Sequence, residues 1–265
     1  MSDQIIVQLN PDVPPTGSDL GIVNAARKSF GRRSEWDQHM EDHVSFHRVV
    51  NTLKPKDKRL LEFLARGMTA ADFDELIDDM YEGGSKEDVA GYLWQWRNTP
   101  THDTPFNHSF FDFEVKAPVF VARHLVKHEY LIMSEYSRRY ITDDVEFYEH
   151  TYRSKAKDVK QGSGGVHENS GEWQIEIDAG NTDAVGRYDR MLEDGIAPEQ
   201  ARGHLPQDLM TAFTWGGTLG AFANMCKLRL GSDTQAETRL VAQAVYEELK
   251  NQFPVSATLL VEGVP

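Results

Sequence analysis

Phe110-Phe111-Asp112-Phe113-Glu114-Val115-Lys116-Ala117-Pro118-Val119-Phe120-Val121-Ala122-Arg123 is the stretch that decides the fold. Its first residues alternate apolar side chains with Asp112, Glu114 and Lys116, a period of two that predicts a strand. Pro118 then predicts a helix start, because its fixed φ and missing N–H suit the first turn. The residues that follow extend the predicted helix from Val119 to about Tyr136. A strand running straight into a helix sets an α+β expectation.

Working outward, Ile5-Ile6-Val7 with Gln8 and Leu9 predicts a short strand, closed by Asn10, Pro11, Pro14 and Pro15. Ser18 is placed to cap a helix carrying Ile22, Val23, Ala25 and Ala26 at helical spacing. Pro55 to Arg97 is charged and helical in pattern, interrupted by Gly83-Gly84 and closed by Trp94 and Trp96, and reads as a solvated helical pair. Lys160-Gln161-Gly162-Ser163-Gly164-Gly165 reads as a flexible loop or turn. A glycine run after a lysine suggests a phosphate cradle, but this one does not follow a strand and open a helix as a P-loop does. Helices are expected at about Asp183 to Glu193 and Pro198 to His204, then an apolar stretch from Leu209 to Leu228 and a final amphipathic helix from Thr234 to Asn251. Without a repeat or a clean linker, residues 1–265 read as a single α+β domain with a mixed or antiparallel sheet and packed helices.

Composition narrows the function. Lys and Arg total 28 against 42 Asp and Glu, a net charge of −14. That excess disfavours a polynucleotide partner, which needs a surplus of cations, but leaves room for a small anion on a local arginine cluster. Hydrophobic residues make up 40% of the chain and charged ones 26%, as in ordinary globular proteins. The single Cys226 excludes an internal disulfide framework and points to a reducing, cytoplasmic setting. Met1 to Pro15 have neither a basic start nor a long apolar run, so no signal peptide is expected. No stretch is apolar for long enough to suggest a membrane span.

The segment from Arg123 to Arg139 concentrates chemistry: Arg123, His124, Lys127, His128, Glu129, Glu135, Arg138 and Arg139. On one helix, His124, His128 and Glu135 would share a face and could approach a divalent cation, with His102 and His108 able to complete the set. The HExxH pattern is absent and no further ligand is evident, so no metal is expected. Ser137-Arg138-Arg139-Tyr140 sets two guanidiniums beside a hydroxyl, a pattern suited to a phosphate monoester. Arg202 is a further candidate, and Arg229 sits among apolar neighbours, where an arginine needs an anionic partner. Cys226, in an apolar setting, reads as buried and inert.

Several blocks resemble the flavin-dependent thymidylate synthases. They are Ala25-Ala26-Arg27-Lys28-Ser29-Phe30, His102 to His108, Phe113 to Arg123, Ser134 to Tyr140, Glu146-Phe147-Tyr148 and Leu228 to Glu237. They run in family order from about residue 20 to residue 255. The resemblance implies an α+β fold in a homotetramer, with FAD and nucleotide bound where subunits meet. It implies reductive methylation of dUMP to dTMP, with methylenetetrahydrofolate as carbon donor and NADPH as reductant, and no need for an active-site cysteine. It assigns Ser137 and Arg229 to catalysis, and His124, Lys127, Glu135, Ser137, Arg138, Arg139, Arg202 and Arg229 to dUMP. Ser29, His102, Thr104, Lys127, His128, Glu129 and Asn224 resemble FAD-binding positions.

The family's Arg-His-Arg signature reads Lys127-His128-Glu129 here, seven residues before Ser137. Lys127 keeps the charge and loses the planar fork, while Glu129 reverses the charge. Ile132 and Ser134 replace the family's Ser and Asn, and His124 replaces a frequent Gln. Thr218 and Gly220 stand where the family has Asn and Arg at FAD. These departures leave two alternatives beside the synthase: a relative with altered chemistry, such as a dUMP or dCMP hydroxymethylase, or a non-catalytic nucleotide-binding protein. Relative to compact members, the segments at about 32–96 and 155–181 are insertions expected to decorate the surface or a subunit contact.

Overall fold

The computed structural model describes residues 4–43, 46–66, 102–142, 145–156 and 162–263. The part of the expected helical pair beyond residue 66, with Gly83-Gly84, Trp94 and Trp96, lies outside the described residues, as do residues 160 and 161 of the expected glycine-rich loop. The architecture is α+β, and the chain divides into two compact units.

The first unit comprises Met1–Pro14, Asp112–Gly217 and Leu228–Val245. Its sheet is built from β1 (Ile6–Leu9), β4 (Phe111–Pro118), β8 (Met210–Gly217) and β5 (Leu131–Glu135), in that spatial order. β1 runs antiparallel to β4, with Ile6 opposite Lys116, and β5 antiparallel to β8, with Glu135 opposite Phe213. The period-two reading of β4 holds: Phe113, Val115 and Ala117 are buried while the residues between them are half-exposed.

Pro118 does open a helix, α3, but α3 spans only Val119–Leu125. The expected continuation to Tyr136 is overturned. The chain turns through residues 126–130, Tyr130 adopting a left-handed φ of 63°, and then forms β5. Leu131-Ile132-Met133 suit either state on periodicity alone, and the ladder offered by β8 decides for the strand. His124, His128 and Glu135 therefore share no helix face.

The antiparallel pair β6 (Arg153–Lys155) and β7 (Ser163–Val166) takes in Ser163, Gly164 and Gly165 of the run expected as a loop, so these three residues belong to an exposed strand and not to a phosphate cradle. Helix α4 (Ser170–Glu193) starts well before the expected Asp183. Its buried residues, Asn181, Ala184 and Tyr188, all lie in the later part, while Trp173 and Ile175 of the early turns are exposed, so the apolar residues there do not mark a buried face. The short α5 (Pro198–Ala201) passes into a 3-10 turn, Arg202–His204.

The second unit comprises Pro15–Phe111, Thr218–Lys227 and Tyr246–Pro265. Here α1 (Asp19–Lys28) is capped as expected, Ser18 Oγ accepting from the Gly21 N–H at 3.1 Å. A hairpin of β2 (Asp37–His43) and β3 (Phe46–Thr52) leads into α2 (Pro55–Ala65). The apolar stretch from Leu209 resolves into β8 and a helix, α6 (Leu219–Arg229), and the last expected helix is α7 (Ala236–Gln252). It is not final: α8 (Ser256–Val261) follows. The buried Asp19 carboxylate accepts from the Val255 and Ser256 N–H groups, each at 2.9 Å, and from the Ser256 hydroxyl, tying α8 to α1. Ile22, Leu61, Phe106, Phe222 and Phe253 form the core of this unit. Among the described residues, no helix is long and apolar enough to cross a membrane.

Candidate active site

The end of β5 and the start of β8 place a set of polar side chains around one cleft of the first unit, about 390 Å³ in volume. Glu135, Tyr136, Arg138, Arg202, Gln207 and Thr211 supply its polar wall, with Arg123 beside them and Val126, Met133 and Leu205 as apolar floor. Thr211 Oγ1 donates to Glu135 Oε1 at 2.9 Å, which fixes the carboxylate. The Tyr136 N–H continues the ladder onto Ala212 O at 2.8 Å, so the chain leaves β5 in a set direction. Arg138 reaches over the Tyr136 ring, 5.5 Å from its centroid. Three guanidiniums against one carboxylate give the cleft a positive field suited to a small dianion.

Of the residues assigned to a nucleotide, Glu135, Arg138 and Arg202 line this cleft, while His124, Lys127, Ser137, Arg139 and Arg229 are not on its wall. Ser137 starts a turn, its Oγ accepting from the Arg139 N–H at 3.4 Å and its carbonyl from the Tyr140 N–H at 3.0 Å. Arg139 folds back, Nη2 donating to the Tyr140 hydroxyl at 3.1 Å. Thr211 and Gln207 were missed from sequence. Thr211 lies in a run that reads as apolar core, and only the β5–β8 pairing brings it to Glu135.

Arg229 and His128 form a second cluster in the same unit. Arg229 Nε donates to His128 Nε2 at 2.9 Å, so that nitrogen keeps its lone pair and the ring is neutral with its proton on Nδ1. Burial, and then the charges of Arg229 and His124, push the His128 pKa down to about 4. His124, whose Nδ1 lies 3.0 Å from Thr238 Oγ1, is lowered by burial and by Arg229 and Lys127. Burial also lowers the pKa of Arg229. Both imidazoles thus give up their charge in favour of the guanidinium. Lys127 and Glu129 are exposed on either side of His128.

The second unit contains a cavity of about 830 Å³, within the size range of ligand pockets. Ser29, His102 and Thr104, three of the residues assigned to FAD, line it together. Ser29 sits at the C-terminal end of α1, its hydroxyl donating to Ala26 O at 3.1 Å. The His102 ring stacks on Phe63 with centroids 5.2 Å apart and planes at 19°. Planar rings, hydroxyls and cationic side chains in one hollow fit a group such as FAD. Asn224 is exposed on α6 and is not on this wall, and Lys127, His128 and Glu129 belong to the first unit. Thr218 Oγ1 donates to Asn107 Oδ1 at 2.7 Å and accepts from the Ala221 N–H at 3.2 Å, capping α6. At Gly220 a Cβ would stand 2.6 Å from Asn107 Oδ1, so Asn107 occupies the space a side chain would need.

Cys226 is fully buried, and burial pushes its thiol pKa far above the usual range, so it offers no thiolate. Among the described residues, no group of three or more His, Cys, Asp or Glu side chains is placed to hold a metal ion.

Residues 15–255 match the family model described as thymidylate synthase complementing protein. A flavin-dependent thymidylate synthase of Thermus thermophilus is 37% identical over 174 residues, which cover 64% of this chain and 63% of that one. That of Wolbachia pipientis wMel is 34% identical over 167 residues, 61% of this chain and 58% of the relative. The chain thus matches less than two thirds of the length of these relatives. A crystal structure of the UMP/dUMP methylase PolB from Streptomyces cacaoi, bound with 5-Br dUMP, shares the fold, with a TM-score of 0.68 at 24% identity, covering 100% of this chain and 98% of that one. With the match running through nearly the whole chain, from α1 to the end of α7, the protein belongs to the thymidylate synthase complementing protein family.

Proposed function

We propose that the protein is a flavin-dependent thymidylate synthase, converting dUMP to dTMP with methylenetetrahydrofolate, NADPH and FAD. The observation that carries this reading is the cleft where Glu135, Arg138 and Arg202 converge. Arg138 and Arg202 would neutralise the 5′-phosphate through charge-assisted hydrogen bonds. Glu135, held by Thr211, would accept a hydrogen bond from the nucleoside. Arg229, oriented by the neutral His128, would stabilise negative charge as it develops on the pyrimidine. Ser137 would polarise the uracil without attacking it, and Arg139 would swing from Tyr140 to the phosphate. Ser29, His102 and Thr104 would hold FAD, which when bound supplies the redox chemistry of the one-carbon transfer. The inert Cys226 supports a reaction without a protein thiol adduct.

The names of the relatives, and the UMP/dUMP methylase activity and 5-Br dUMP of the structural neighbour, support the same reading. The protein would work in the cytoplasm as a homotetramer with sites completed where subunits meet. The test is incubation of the purified protein with dUMP, methylenetetrahydrofolate, NADPH and FAD, followed by mass spectrometry. A nucleotide gaining one methyl group is expected. A hydroxymethyl product, or binding without turnover, would overturn the reading.

A further inference from the structure

Arg27, Arg32, Lys56 and Arg59 all line the cavity of the second unit, and among the described residues no carboxylate lines it with them. Arg27 is engaged by the buried Asp57 at 2.6 Å. Arg32, Lys56 and Arg59 are exposed, and no ion pair or hydrogen bond to a described residue holds their head groups. Lys56, Arg59, Leu60 and Phe63 are spaced i, i+3, i+4 and i+7 along α2, so one face of that helix turns its charges and its aromatic ring to the same hollow. The charged end of this face stands one to two helical turns from the Phe63–His102 stack. Three cations with no partner among the described residues, beside a planar ring stack, make a site with two chemistries: one for an aromatic ring, one for a multiply charged anion.

We infer that Arg32, Lys56 and Arg59 bind the diphosphate of an aromatic dinucleotide whose ring lies toward the Phe63–His102 wall. The inference rests on the proposed function for the identity of the dinucleotide, FAD. It concerns residues outside every stretch that carries the family resemblance: Arg32, Lys56 and Arg59 fall in the segment of about 32–96. That segment then has a role. It supplies positive charge in a chain where Glu129 and Gly220 stand at positions that are cationic in the family. FAD and NADPH share the chemistry the site recognises, and titration with each separates them.

The experiment uses the full chain stripped of bound nucleotide. FAD and riboflavin binding are followed by flavin fluorescence and NADPH binding by its own emission, for the wild type, K56A/R59A and K56R/R59K. In K56A/R59A the FAD dissociation constant is expected to rise on the order of tenfold or more, since two charge-assisted contacts are lost. Riboflavin, which lacks phosphate, should change by less than about twofold if only phosphate contacts are removed. K56R/R59K should keep wild-type affinity, and the thermal midpoint of all three should agree, which separates binding from folding. A loss confined to NADPH assigns the site to that dinucleotide. Unchanged affinity of K56A/R59A for both dinucleotides overturns the inference and leaves the synthase reading standing. A wild type that binds NADPH through these residues but never FAD keeps the site and removes the synthase reading.

Discussion

The wall that carries Lys56 and Arg59 is fixed to α1 by one ion pair, and its removal gives a quantitative test. Asp57 has 0% of its side chain exposed, and Arg27 has 17%. Asp57 accepts from Arg27 Nη2 at 2.6 Å and from the Ser34 hydroxyl. Removing one partner of a buried pair costs about 3–5 kcal/mol, because the other charge stays behind in a poor dielectric. The exposures make the two truncations unequal. Arg27→Ala strands a carboxylate that water cannot reach, with Ser34 alone among the described residues to serve it, so the upper part of that range applies, about 4–5 kcal/mol. Asp57→Ala leaves a guanidinium that can turn outward, and about 2–3 kcal/mol is expected. The double variant should cost less than the sum of the two by at least ~1 kcal/mol, because no charge is then left unpaired. At roughly 2–4 °C per kcal/mol for a chain of this size, Arg27→Ala should lower the melting temperature by roughly 8–20 °C. Urea unfolding of the three variants measures the free energies directly. Equal costs for the two single variants, or strict additivity in the double, would refute the burial asymmetry on which the reasoning rests.

Arg229→Ala is expected to reduce turnover to near background while circular dichroism stays unchanged, and unaltered turnover would remove Arg229 from the reacting centre. In the same variant His128 should titrate above its present value of about 4, still short of 6.5 because burial remains its largest perturbation, as read from its NMR shift against pH. For the folded protein the sign follows from the order of the two pKa values. His128 is about 4 when folded and 6.5 when unfolded, so the unfolded chain takes the proton first as pH falls. Its contribution to stability is intact above about pH 6.5 and is lost progressively toward pH 4, so His128→Gln should show a smaller drop in urea midpoint between pH 7 and pH 5 than the wild type. Cys226→Ala should retain turnover, and a thiol reagent should label the native wild type slowly if at all; rapid labelling would contradict its burial.

Local chemistry was legible where one residue decides the outcome. Ser18 caps α1, Pro118 opens α3 and the alternation of Phe113, Val115 and Ala117 makes β4, each by a rule that needs no distant partner. The stretch from Val126 to Glu135 failed because its apolar residues suit two periods at once, and the choice belongs to β8, about eighty residues later in the chain. The first half of α4 was missed because its face meets solvent, and α8 because its anchor, Asp19, lies at the far end of the sequence. At the candidate site, Glu135, Arg138 and Arg202 stand out in the sequence as charged residue types, whereas their convergence in one cleft, and Thr211 with them, needed the strand pairing. Lys56 and Arg59 read as a solvated helix face. A charged face turned to water and one turned to a cavity have the same spacing, and only the opposite wall tells them apart.

The close approach of Asn107 to Gly220 also bears on how this sequence can change. With a Cβ only 2.6 Å from the amide oxygen, even alanine at 220 would displace Asn107, and with it the partner of the Thr218 hydroxyl that caps α6. The three positions are therefore coupled: a side chain at 220 and the Asn107 amide compete for one space, and when the flexible amide gives way the Thr218 hydroxyl loses its acceptor while still accepting from the Ala221 N–H.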